Sequence, residues 1–175
     1  MAMIRSIVGV AIAIASCTVA VRAADPTTLA QVHFLLGTWE GAGGGKPGEG
    51  SGGTTFASML QGSVILRTNF AEYPAAAGRP ASRHDDLMVI YVEGTEIKAD
   101  YYDNEGHVVR YAVRSPASHE AVFLRDAAAP GPRFRLSYKL APDGSLEGRF
   151  EIAPPGKPEA FGPYLAWTMK RKEKE

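Results

Sequence analysis

The chain holds one cysteine, Cys17, so no disulfide can form within it. It also lacks a Gly-x-Ser-x-Gly elbow and a His-Glu-x-x-His helix, the signatures of two common hydrolytic mechanisms. The stretch Gly45-Lys46-Pro47-Gly48-Glu49-Gly50-Ser51-Gly52 has the composition of a phosphate loop, but the Gly-Lys-Ser/Thr junction and the helix that should follow are missing. An excess of positive charge is absent as well, with 19 Lys and Arg against 19 Asp and Glu. The one basic cluster, Lys170-Arg171-Lys172-Glu173-Lys174-Glu175, is diluted by its own glutamates. Binding to a phosphate backbone needs clustered Lys and Arg, so the composition argues against a nucleic acid partner.

What is present begins with an export signal. Met1-Ala2-Met3-Ile4-Arg5 is short and basic, and the apolar run Ser6–Ala15 that follows is too short to span a bilayer comfortably. Val21-Arg22-Ala23 offers a signal peptidase site, which makes residues 1–23 a signal peptide and 24–175 the mature domain. A second exit, Ile14-Ala15-Ser16-Cys17, resembles a bacterial lipobox, in which Cys17 would carry a lipid anchor. The expected location is therefore periplasmic or extracellular, with membrane attachment only through lipidation of Cys17. Cleavage after Ala23 removes Arg5 and Arg22, leaving 17 basic against 19 acidic residues and a net charge near −2.

From Asp25 the patterning divides into two regimes. Asp25-Pro26-Thr27-Thr28 supplies capping residues, and Leu29, Val32, Leu35 and Leu36 recur at helical spacing, which predicts one short helix. From Gly37 the period becomes two. Phe134, Leu136, Tyr138 and Leu140 alternate with Arg133, Arg135, Ser137 and Lys139, and the Pro142-Asp143-Gly144 turn leads into an equally regular strand at 146–152. Asp103-Asn104-Glu105-Gly106 joins strands at 96–101 and 107–113 in the same way. Segments near 37–43, 54–60, 63–71, 86–93, 120–125 and 163–171 bring the total to about ten. Such a series predicts an all-β, antiparallel up-and-down closed barrel with a short N-terminal helix, since closure removes the exposed sheet edges. An open two-layer sandwich is the competing geometry.

The stretch Leu35-Leu36-Gly37-Thr38-Trp39-Glu40-Gly41-Ala42-Gly43-Gly44-Gly45 then resembles something known. A short helix followed by Gly-x-Trp is similar to the opening of the calycin group, the lipocalins and fatty-acid-binding proteins. That resemblance implies that Trp39 closes the barrel floor and that a basic residue of the last strand, Arg171, lies across it. The glycines at 41, 43 and 45 resemble the opening of nitrobindin-like proteins, ten-stranded barrels that hold haem through a histidine near the C-terminus. The last strand here has no histidine, and Tyr164 could ligate iron in principle, so no cofactor is expected and haem is the secondary reading. The overall layout looks closest to an uncharacterised exported bacterial lipocalin-like domain family, which supplies a fold and no function.

Candidate site residues follow from the faces. His107, Val109, Tyr111 and Val113 share one side of their strand, and Tyr101 shares a side with Ile97 and Ala99. Tyr101, His107 and Tyr111 are thus the candidate ligand-binding residues, with His107 alternatively a rim residue bonded to the Asp103-Asn104 turn. His84-Asp85-Asp86 invites an acid/base or metal reading, but adjacent residues of an extended chain point to opposite faces, and Arg79-Pro80-Ala81-Ser82-Arg83 before them suggests a loop entering a strand. His33 reads as a packing or capping residue, and His119 as exposed in a turn. No catalytic or metal residue is assigned. The expectation is a carrier of a small, largely apolar molecule. An enzyme using the cavity, by haem or acid/base chemistry, and a structural envelope protein with a filled barrel are the alternatives.

Overall fold

A computed structural model describes residues 28–41, 51–76, 78–114 and 117–173. The expected export signal at 1–23, with Cys17, and the glycines Gly43 and Gly45 lie outside the described residues. Ten strands follow one 3-10 helix (Leu29–Leu35): β1 (Gly37–Gly41), β2 (Ser51–Met59), β3 (Val64–Tyr73), β4 (Ser82–Glu93), β5 (Glu96–Asp103), β6 (Val108–Arg114), β7 (Glu120–Arg125), β8 (Arg133–Leu140), β9 (Leu146–Ala153) and β10 (Gly162–Arg171). Each pairs antiparallel with its sequence neighbours, and β1 pairs with β10, so the meander closes into a barrel and the sandwich is ruled out.

The expected short helix takes the 3-10 form. Leu29, Val32 and Leu35 are its buried residues, a spacing of three that suits the three-residue turn of a 3-10 helix better than an α-helix. It enters β1 directly and covers one end of the barrel, hereafter the closed end, where the edge of the Phe34 ring meets His119 with centroids 6.0 Å apart. The opposite end is the mouth. It is bounded by the β3–β4, β5–β6, β7–β8 and β9–β10 connections.

Two glycines are demanded by close approach. Gly37 has φ +127°, and a Cβ there would stand 2.2 Å from Arg171 Nη1. Gly148 faces Trp167 across the β9–β10 pair, and a Cβ on it would lie 2.2 Å from the indole. The first lets the closing arginine reach the chain before Trp39; the second lets a tryptophan fold inward over the wall.

Packing divides the interior into two halves. In the closed half, Trp39, Leu35, Ile65, Met88, Ile90, Ala99, Phe123 and Leu146 have no exposed surface. Trp39 donates Nε1–H to the Leu35 carbonyl at 2.8 Å, while Arg171, its register partner on β10, places its guanidinium 4.2 Å from the ring centre and donates to the Leu36 carbonyl at 2.7 Å. Towards the mouth, the inward side chains Tyr101, Phe134, Phe150, Leu165 and Trp167 are only partly buried. Among the described residues, the inward side chains named here are thus more deeply buried towards the closed end than towards the mouth.

Candidate functional site

Strand alternation puts polar side chains where the two halves meet. On β3, Ile65, Arg67 and Asn69 share the inward face; on β4 it is His84, Asp86, Met88 and Ile90. Arg67 and Asp86 form a buried ion pair, Nη1 to Oδ1 3.2 Å, with side chains 6% and 3% exposed. The contact is charged but badly aligned, so neither of those two atoms completes a hydrogen bond. Around it, Arg67 Nε donates to Thr54 Oγ1 at 3.3 Å, and Asn69 Nδ2 donates to Asp86 Oδ2 at 2.8 Å.

Three tyrosines complete this layer. The electrostatic neighbours of the Arg67 guanidinium are Tyr138, Asp86, Tyr101 and Tyr111; burial works against its charge, but these neighbours keep it protonated, above its ordinary value. Burial, the largest influence on all three phenols, pushes Tyr138 up to about 12 and raises Tyr101 and Tyr111 as well, so they are neutral donors. Tyr138 is the hub of an edge-to-face aromatic cluster, with Phe56, Trp167 and Phe123 at centroid distances of 5.5, 6.1 and 6.1 Å.

From this layer a chain of contacts climbs to the rim. His84 Nε2 lies 3.4 Å from Asp86 Oδ2 and 3.1 Å from the Tyr101 hydroxyl, and His84 Nδ1 lies 3.1 Å from Glu105 Oε1. Tyr101 donates to Asp103 Oδ2 at 3.1 Å, which is 2.9 Å from His107 Nδ1. The bond to Asp86, opposed by burial and reinforced by Glu105, raises His84 to about 9, so it is a cation at neutral pH. Asp103 lies below the usual carboxylate range because the hydrogen bonds from His107 and Tyr101 outweigh its burial.

Because the folded value of His84 exceeds the unfolded one, its contribution is complete below about pH 6.5 and is lost as pH rises through about 9. The wild type is therefore expected to exceed His84→Gln in unfolding free energy by roughly 1–2 kcal/mol at pH 6, with the gap closing by pH 9.5. Urea unfolding at both pH values checks this; a gap independent of pH would contradict it.

The structure sorts the expected site residues. Tyr101 and Tyr111 meet at the polar layer, with Tyr111 4% exposed. His107 does not join them: it precedes β6, its side chain is 63% exposed, and its Nδ1 and backbone N–H both bind Asp103. His84-Asp85-Asp86 corrects the loop expectation, because β4 begins at Ser82 and the three residues alternate within it, His84 and Asp86 inward and Asp85 outward to Arg83. Arg67 and Asn69 escaped the sequence reading altogether, Tyr138 entered it only as one face of a strand, and Asp86 only within His84-Asp85-Asp86. Inward polar residues on a strand look like outward ones until the register is known.

Neither Tyr164 nor a histidine is arranged as an interior haem ligand. Tyr164 is 61% exposed beside a bulge in β10, and both ring nitrogens of His84 are engaged. Among the described residues no group of three or more His, Cys, Asp or Glu side chains is arranged to hold a metal ion. His33 and His119 line an open surface groove of about 730 Å³ beside the helix, outside the barrel. Among the described residues no helix is long and apolar enough to cross a membrane. No protein-family model matches the chain, and no curated protein is significantly similar to it.

Proposed function

We propose that this protein is an exported, calycin-like carrier whose barrel binds a small, largely apolar molecule in the half nearest the mouth. The observation that carries the reading is the asymmetry of the interior. In the closed half Trp39, Leu35, Ile65, Met88, Ile90, Ala99, Phe123 and Leu146 have no exposed surface, whereas Phe134, Phe150, Leu165 and Trp167 line the mouth half and remain partly uncovered. Partly exposed aromatic and aliphatic walls with a few convergent polar groups are the usual composition of a small-molecule site. Phe134 and Phe150 stand 5.6 Å apart with planes tilted by 33°, and Arg125 lies over Phe134 while tying down the β7–β8 connection through the carbonyls of Pro130 and Pro132. The wall is thus held in place before a ligand arrives.

The export reading rests on the N-terminal sequence: the first five residues are basic and short, the run after them is apolar, and Val21-Arg22-Ala23 fits a peptidase site. The test is native mass spectrometry of the mature protein purified from its own host, before and after denaturation. The expected result is a mature chain beginning at Ala24 with a non-covalent adduct of a few hundred daltons, on the order of one drug-sized ligand, lost on denaturation. A bare protein that also fails to bind a neutral apolar dye would overturn the carrier reading in favour of a filled structural barrel.

A further inference from the structure

The outside of the barrel carries two unlike walls. On β8 and β9 the outward side chains are charged apart from Ser137: Arg135 pairs with Glu151 at 2.7 Å, Lys139 stands opposite Glu147, and Arg149 is exposed. Five strands away, on β2, β3 and β4, the outward face is the reverse. Val64, Leu66 and Thr68 point outward from β3, since Ile65 and Arg67 between them are buried. Their partners on β2 are Met59, Ala57 and Thr55, and on β4 they are Tyr91, Val89 and Leu87. This block of neighbouring positions holds no charge. Its rung nearest the mouth continues from Leu87 to Tyr102 and Val108, which are 40%, 42% and 60% exposed. Single apolar side chains on a surface need no explanation, but a contiguous sheet face of them marks a contact surface.

We infer that this wall is the interface of a homodimer, in which the outer faces of β2, β3 and β4 from two copies pack on each other around a two-fold axis. The wall lies outside the barrel, so the inference stands apart from the carrier reading. Two-fold symmetry sets the same patch against itself, and an uncharged patch meets its own copy without repulsion. Size sets the strength of the pair. From β2 to β6 and from Val64 to Phe70 the face measures about 20 Å on a side, about half of the roughly 800 Å² that each partner gives to a standard interface. The dimer is therefore a reversible one that dissociates on dilution.

Charge selects a second copy over a lipid surface. The cations at the border of the wall are each matched by a carboxylate: Arg83 lies 3.0 Å from Asp85, Lys172 2.7 Å from Glu40 and Arg110 3.9 Å from Asp100, and Lys98 meets Glu93. An anionic leaflet is recognised by clustered Lys and Arg whose charge is not cancelled, and this border offers no such surplus. The wall is also no membrane-spanning belt, because a belt must run right round the barrel and β8 and β9 turn charges outward. A rim of balanced charge around an apolar centre is instead the ordinary anatomy of a protein interface, and two such rims do not repel.

Sedimentation velocity of the full mature protein, from about 1 µM to about 200 µM, tests the inference. The expected result is a mass that rises from one chain to two over that range and goes no further. Leu87→Glu sets a carboxylate in the middle of the mouth-side rung and is expected to weaken the dimer at least about tenfold, whereas Arg149→Glu, on the charged wall, is expected to leave it unchanged. Circular dichroism checks that the variants fold, and Val108→Glu, at the most exposed end of the rung, repeats the test if Leu87→Glu does not. A wild type that stays monomeric to the highest concentration overturns the inference. So does growth beyond two chains, or a dimer indifferent to the glutamate on the rung. A monomer that co-sediments with vesicles of phosphatidylethanolamine and phosphatidylglycerol, and loses them in Leu87→Glu, would overturn it in favour of a membrane contact.

Discussion

Replacing Trp39 with alanine is expected to lower the unfolding free energy by about 3–5 kcal/mol. Trp39 has no exposed surface and is the largest fully buried side chain of the core. Its loss opens a cavity at the barrel floor, and three further contacts go with it. The Leu35 carbonyl loses its 2.8 Å donor, the Arg171 guanidinium loses the ring 4.2 Å beneath it, and the helix loses the anchor that holds it across the closed end. Arg171→Met should cost less, roughly 0.5–2 kcal/mol, because Arg171 is exposed and only its ring contact and its bond to the Leu36 carbonyl disappear. Urea unfolding followed by circular dichroism ranks the two variants. Equal losses would mean that Trp39 acts through the cation contact alone and not through its volume.

Removing one partner of the internal ion pair is the second large effect. Asp86→Leu strips Arg67 of the buried carboxylate it pairs with and leaves a guanidinium stranded inside the barrel, at an expected cost of about 3–5 kcal/mol. The same change removes the acceptor of Asn69 Nδ2 and the carboxylate that raises His84. Adding Arg67→Met should recover most of the loss, since apolar groups of similar volume replace a buried pair at little net cost. Recovery in the double variant, measured by the same unfolding experiment, separates a stranded charge from a hole. If the double variant is as unstable as the two singles summed, the two residues act independently and the stranded-charge account fails.

The strands were legible because each carries its own evidence. Clean alternation in Arg133–Leu140 and the Asp143-Gly144 turn announce β8, β9 and their hairpin, and Gly144 does take φ +82° there. The Asp103–Gly106 turn announces β5 and β6 equally well. The helix was legible in place, and Leu29, Val32 and Leu35, three residues apart, are the side chains its 3-10 form buries.

The polar layer was hidden for a different reason. It is assembled by pairing between strands, and Arg67 and Asp86, although 19 residues apart, meet only when Asn69 falls opposite Asp86 in the β3–β4 register. Nothing local marks Val64-Ile65-Leu66-Arg67-Thr68-Asn69-Phe70 as carrying its polar residues inward, because both alternating sets mix apolar and polar members. His84 and Asp86 were legible as a pair two residues apart. Pro80 and the two arginines just ahead of them, Arg79 and Arg83, pointed to a loop, where faces have no meaning. His107 illustrates the opposite case: one residue short of β6, it escapes the alternation that would have turned it inward, and the Asp103 turn holds it at the rim.

The central claim is that the mouth half of this barrel, and not its closed half, is the binding chamber. Carbon–proton correlation spectra of methyl and aromatic groups, recorded while N-phenyl-1-naphthylamine is added, test it most directly. The account predicts shifts at Phe134, Phe150, Leu165, Trp167 and Tyr101, with the resonances of Ile65, Met88, Ile90 and Trp39 unmoved. Shifts centred on the closed half, or confined to outward side chains such as Leu87, Tyr102 and Val108, would contradict it.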